Sequence, residues 1–96
     1  MGGLTYALIC LGEDTEAVAV ATRAIHQNSN YTFAWRGLAA ALALSGRLEE
    51  GRMALQSMLR LEPTFSISAL LSRTPSAPNA FRRVIQGLRL LGVPEQ

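Results

Sequence analysis

The chain repeats itself with a period of 34 residues. When the sequence is aligned with itself at that offset, Gly12 coincides with Gly46. Two further small residues, Ala17 and Gly51, also coincide. Large apolar positions also coincide, as Leu4 with Leu38, Leu8 with Leu42, Ile25 with Leu59, Tyr31 with Phe65, and Phe33 with Ile67. A fixed period of this length is typical of a stack of similar units, each of which buries an apolar face against its neighbour.

Local signals predict that each unit is a pair of helices. One helical face is marked by apolar residues three or four positions apart, at Ala17, Val20, Ala21, Ala24 and Ile25. Asp14 is placed to cap this helix, with Thr15 as its first residue. Gly46 is expected to end the next helix in a left-handed conformation, and Pro63 prevents continuation of the helix after that. These signals predict an all-α fold.

The second copy resembles the tetratricopeptide repeat, a helix-turn-helix unit with this same period. The matching positions are Trp35, Leu38, Leu42, Gly51, Leu55, Met58 and Pro63. At four positions the copy has another residue than the family usually has: Ala39 in place of Gly, Leu42 in place of Tyr, and Gly51 and Met58 in place of Ala. The resemblance covers about residues 1–65 and implies a right-handed α-solenoid of about two antiparallel helix pairs plus a C-terminal capping helix pair. Within a single domain of residues 1–96, the expected parts are repeat 1 at about 1–30, repeat 2 at about 31–64, and capping helices at about 65–92.

A second resemblance joins four segments of the chain, at residues 34–50, 61–66, 81–82 and 87–95. Together they look like the C-terminal tetratricopeptide segment of bacterial adenylate or guanylate cyclase-like proteins and related winged-helix regulators. Those proteins carry a catalytic or DNA-binding domain before the repeats, and this sequence contains neither. Because at least three repeats are generally needed for a stable solenoid, three interpretations are open: a piece of a longer regulator, a diverged remnant, or a subunit completed by a partner.

The repeat pattern is lost after Pro63. A short helix is predicted from Phe65 to about Leu71, and Asn79 is a candidate cap for a final helix. That helix carries apolar residues at helical spacing, namely Phe81, Val84, Ile85, Leu88 and Leu91. Its other face is polar, with Arg82, Arg83, Gln86 and Arg89. Such a helix suits the end of a solenoid, where the last apolar face must be shielded.

Residues that could perform chemistry are few and scattered. The net charge is only +2, and the nine basic residues, all arginines, form no stripe that would predict a nucleic-acid partner. His26 is the only histidine, and no nucleophile–base pair, metal-ligand spacing or phosphate-binding loop accompanies it. We therefore predict no enzyme activity, no cofactor and no metal. The single cysteine, Cys10, lies in an apolar run and is predicted to be a buried thiol.

The chain is predicted to be soluble and cytoplasmic. Its longest apolar run, from Gly37 to Leu44, is far shorter than the ~20 residues that span a bilayer. Residues 1–11 are apolar but lack the preceding basic residue and the following cleavage site of a signal peptide. No membrane partner is expected.

The tetratricopeptide resemblance assigns the first helix of each pair to a concave groove that holds peptides or helices. By repeat position this groove would contain Tyr6, Ile9, Cys10, Phe33, Arg36, Ala40 and Leu44. Family members that bind acidic peptide ends use several Lys, Arg and Asn residues there, whereas this groove has only Arg36. An apolar groove with one arginine better suits a helix, either the protein's own C-terminal helix or a second copy; alternatively, these residues only pack within the stack.

The apolar content of the sequence indicates a surface that contacts another protein. Apolar residues make up 49% of the sequence, more than a short helical stack buries, so part of that surface is expected to contact another protein. We therefore predict a non-enzymatic module for protein–protein interaction or self-association. The alternative is a regulatory segment that acts in cis with a cyclase or DNA-binding domain absent from this chain.

Overall fold

The computed structural model describes residues 2–68, 70 and 82–93, and within these ranges the regular structure is entirely helical. Its five bounded helices are α1 (Gly2–Cys10), α2 (Asp14–Gln27), α3 (Thr32–Leu44), α4 (Leu48–Leu61) and α5 (Arg82–Leu90). The all-α prediction is confirmed. The predicted cap Asn79 and the apolar Phe81 lie outside the described residues. No helix in the described ranges is both long enough and apolar enough to cross a membrane.

The 34-residue period of the sequence recurs in the backbone. Helices α2 and α4 have 14 residues each, and their first residues are 34 positions apart. The glycines that precede them, Gly12 and Gly46, both have φ +84, the left-handed conformation that a side chain disfavours. The turns make matching bonds, because the Glu13 amide donates to the Leu8 carbonyl (2.8 Å) and the equivalent Arg47 amide donates to Leu42 (2.9 Å). The two copies therefore share local geometry as well as sequence pattern.

Asp14 does not cap α2, so that prediction was wrong. The helix begins at Asp14 itself, and the N-cap residue before it, Glu13, makes no side-chain capping hydrogen bond. The carboxylate of Asp14 instead accepts a bond from Arg83 of α5, at 2.8 Å. A contact between distant helices therefore uses the side chain that the local pattern assigned to the cap.

Helix α3 is the centre of the fold, because it contacts all four other helices. Its buried surface is largely alanine, at Ala34, Ala39, Ala40, Ala41 and Ala43. Small side chains allow neighbouring backbones to approach closely. Gly51 of α4 uses this space, since a Cβ there would lie 3.3 Å from the Ala39 carbonyl oxygen. A glycine at position 51 therefore lets α4 approach the backbone of α3 closely.

Candidate functional site

The face formed by α1 and α3 is covered by α5, which contacts both helices. The helices approach closely at Gly87, where a Cβ would lie 2.6 Å from the carbonyl oxygen of Ala40 and 3.0 Å from its Cα. Glycine is therefore the residue that permits this crossing, because any side chain would meet backbone rather than a movable group. The C-terminal helix of the chain occupies the face that repeat position assigned to a ligand groove.

Most of the predicted groove residues lie inside the chain. Four are buried, with exposed fractions of 6% for Tyr6, 0% for Ile9, 5% for Arg36 and 0% for Ala40. Phe33 and Leu44 are half-buried and pack against the hydrophobic core. A partner approaching this face would have to displace α5 to reach Ala40. Their role in binding a partner stays a prediction.

Cys10 is exposed, so the prediction of a buried thiol was wrong. It is the last residue of α1, directly before the turn that contains Gly12. Its neighbour Ile9 is fully buried while Leu11 is 76% exposed. An apolar run at a helix end therefore points to several sides of the helix, and only some of its members reach the core.

The structure brings three predicted groove residues into one cluster around Arg36. The Arg36 guanidinium carbon lies 5.8 Å from the ring centre of Tyr6, 5.0 Å from Phe33 and 5.6 Å from Phe65. Within ~6 Å, a cation is attracted to the face of an aromatic ring. The Arg36 Nε–H also donates to the Tyr6 hydroxyl oxygen at 2.5 Å. Aromatic rings and one phenol oxygen thus accommodate a buried positive charge.

Tyr6 and Phe33 form the wall of this cluster. Their rings stack with centroids 4.3 Å apart and planes 16° apart, and Tyr31 continues the stack at 6.0 Å from Phe33. Burial raises the pKa of Tyr6 to about 12, although the charge of Arg36 acts in the opposite direction. The phenol is therefore neutral at physiological pH and accepts the bond from Arg36 as an uncharged group.

An ion pair between Asp14 and Arg83 joins the start of α2 to the start of α5. The Arg83 Nη2–Asp14 Oδ2 distance is 2.8 Å, and the side chains are 14% exposed for Asp14 and 38% for Arg83. The second oxygen of Asp14 and the Nε of Arg83 are buried without a hydrogen-bond partner. The pair is therefore a single contact rather than the bidentate arrangement that arginine and carboxylate favour.

A second face of the fold is open. A groove of about 420 Å³ lies between α2, α3 and α4. It is lined by Val18, Thr22, Trp35, Leu38, Leu42, Arg47, Glu50, Met53, Ala54, Gln56, Ser57 and Arg60. Because successive residues are ~100° apart on a helix, Leu38 and Leu42 point roughly away from Ala40 and the face that α5 covers.

Sequence reasoning did not identify this groove. The sequence feature that could have indicated it is Met53, a large apolar residue on the otherwise polar side of α4. In the structure its side chain is 66% exposed. On the groove floor, Trp35 is fixed by its indole N–H, which donates to the Ser29 carbonyl at 2.8 Å. The tryptophan that marks the start of the second repeat therefore also lines an open surface.

Among the described residues, no group of three or more His, Cys, Asp or Glu side chains is placed to hold a metal ion. Comparison with protein-family models, curated proteins and solved structures finds no match to this chain. The described residues therefore define an all-α fold in which α5 covers one helical face and a largely apolar groove lies open on another.

Proposed function

We propose that this chain is a non-enzymatic interaction module of tetratricopeptide type that holds a helix on the face formed by α1 and α3. The observation that carries the proposal is the position of α5, with Gly87 against the backbone of Ala40. A face that accepts one helix at this distance has the shape to accept another. The repeated turns at Gly12 and Gly46 support the tetratricopeptide part of the proposal, because the family is built from such 34-residue helix pairs.

The side chains of α5 indicate which features a partner helix must have. It presents a glycine at the crossing point, buried apolar residues on either side at Val84 and Leu88, and Arg83 near Asp14. A partner helix needs the same three features: a small residue, apolar residues three positions before it and directly after it, and a basic residue near its start. Because Asp14 keeps one oxygen unpartnered, a partner with a bidentate arginine competes effectively with α5.

A synthetic peptide of residues 79–93 tests the proposal with the 96-residue chain. The substitution Gly87→Leu in the protein places a side chain against the Ala40 backbone and expels α5 from its own face. The labelled wild-type peptide should then bind this variant, as measured by fluorescence anisotropy, and should bind the wild-type protein at least ~10-fold more weakly because α5 competes at high effective concentration. A peptide that carries Gly87→Leu should bind neither protein.

A second variant keeps the proposal testable if the Gly87→Leu protein does not fold. Arg83→Glu opposes Asp14 with a like charge and weakens α5 without adding bulk, and Arg82→Glu is its matched control at an exposed neighbour. The wild-type peptide should bind the Arg83→Glu protein more tightly than the Arg82→Glu protein. If neither the Gly87→Leu nor the Arg83→Glu protein binds the peptide while its helical circular dichroism is retained, the proposal is rejected.

A further inference from the structure

The exposed side of α4 carries four residues in one line, which we call the α4 stripe: Glu49, Met53, Gln56 and Arg60. All four are exposed, and Met53 is 66% exposed. They are separated by four, three and four positions, so they follow one side of the helix. Three of them also line the open groove. The spacing is the same in both directions, which makes the stripe palindromic.

We propose that two copies of this chain associate through the α4 stripe, with the two α4 helices antiparallel. In this register Glu49 faces Arg60 of the partner subunit, and Met53 faces Gln56 of the partner subunit. The two-fold axis passes between Met53 and Gln56. Such an interface is isologous, because the same surface of each copy meets itself and every contact occurs twice.

The charges of the stripe favour this arrangement. Arg47 and Glu50 at the edge of the groove already pair with each other at 2.6 Å. Glu49 and Arg60 make no ion pair within the described part of the chain. They lie at opposite ends of the stripe, so an antiparallel copy sets acid against base at both ends, whereas a parallel copy sets like against like.

The shape of the surface is also self-complementary. Met53 projects from α4, and the groove beside it has an apolar floor of Trp35, Leu38 and Leu42. Each copy therefore supplies a projecting side chain and a hollow to receive one. Methionine suits this role because its unbranched thioether adapts to irregular gaps. A second copy satisfies both features of the surface at once.

The inference rests on the proposed function in treating the chain as a contact module, but it uses a different face. The peptide experiment reports on α1 and α3, whereas association of two copies reports on α4. Failure of one experiment therefore leaves the other result intact.

The test is the solution mass by sedimentation equilibrium over about a hundredfold range of concentration. The wild-type mass should rise from 10.4 kDa towards twice that value. Arg60→Glu places acid opposite Glu49 at both ends and should raise the dissociation constant at least ~10-fold, and Glu49→Arg should act similarly. The double variant Glu49→Arg with Arg60→Glu restores opposite charges in reversed order and should recover association to within about threefold of wild type.

A matched control separates this interface from a general effect of charge. Arg82→Glu makes the same charge change at an exposed position on α5 and should leave the concentration dependence of the mass unchanged. Three results would overturn the proposal: a monomer at every concentration, a dimer that is insensitive to Arg60→Glu, or a double variant that stays as weak as the single ones.

Discussion

Gly87 of α5 lies directly against the backbone of Ala40 in α3, close enough that a Cβ would come within 2.6 Å of the Ala40 carbonyl oxygen. Both partners of the contact are small, and Ala40 is completely buried beneath it. The small size of both residues lets α5 pack closely against α3. A single methyl group added at position 87 would therefore disturb the packing of α5 on α3.

Gly87→Ala should destabilise the protein by about 1–3 kcal/mol, the usual cost of overpacking a tight contact. The direction is informative, because alanine in a helix interior is otherwise favoured over glycine by ~1 kcal/mol. The free energy of unfolding from urea denaturation measures the effect. Gln86→Ala, at an exposed neighbour on the same helix, is the control and should change stability little. A Gly87→Ala variant more stable than wild type would contradict the close contact.

Tyr6→Phe should cost about 1–3 kcal/mol of stability, the penalty for leaving a buried donor without an acceptor. The substitution keeps the ring stack with Phe33 and removes only the oxygen that accepts the Arg36 Nε–H bond. Replacing Arg36 with Met in the Tyr6→Phe variant removes the donor that had lost its acceptor. Arg36→Met should therefore lower the free energy of unfolding less in the Tyr6→Phe variant than in wild type. Equal costs of Arg36→Met in the two backgrounds would show that the bond contributes nothing.

Tyr6 should make the protein less stable as pH rises above about 10. Its pKa is about 12 when folded, against an ordinary value of 10.0 in the unfolded chain. Between these values the unfolded state has lost the proton that the folded state keeps, so the free energy of unfolding falls with increasing pH, by at most ~1.4 kcal/mol per pH unit. Below pH 10 this group contributes no slope.

Urea denaturation of wild type and Tyr6→Phe between pH 9 and pH 11.5 measures the difference. The variant lacks the titrating phenol, so the stability gap between the two proteins should narrow as pH rises. A gap that stays constant across this range would mean that Tyr6 titrates equally in both states.

The ion pair between Asp14 and Arg83 should contribute about 0.5–1 kcal/mol, a small value because Arg83 is partly exposed and solvent screens the pair. A double-mutant cycle with Asp14→Ala and Arg83→Ala isolates this coupling from the other effects of each change. The coupling should decrease at high salt. Zero coupling at low salt would show that the contact does not hold α5 in place.

Much of the local structure could be predicted from sequence. The turn at Gly46 was correctly assigned because a left-handed residue after a helix needs glycine, which is a property of one position. The all-α fold followed from apolar spacing within single segments. The predictions for Asp14 and Cys10 were wrong because both used only neighbouring residues in the chain. Asp14 pairs with Arg83 of a distant helix. Cys10 lies at the end of α1 on a side that is exposed.

The sequence by itself determined the helices and the 34-residue period, because helix propensity, apolar spacing and turn chemistry act over a few residues. Only the tertiary structure decided which faces are covered and which are open. The cover depends on Gly87 meeting Ala40, positions 47 residues apart in the chain whose small size has no meaning until the helices cross. The open groove depends on α2 and α4 flanking Trp35 and Leu38 without closing over them. Burial is set by packing between segments that are far apart in sequence, and no local pattern contains that information.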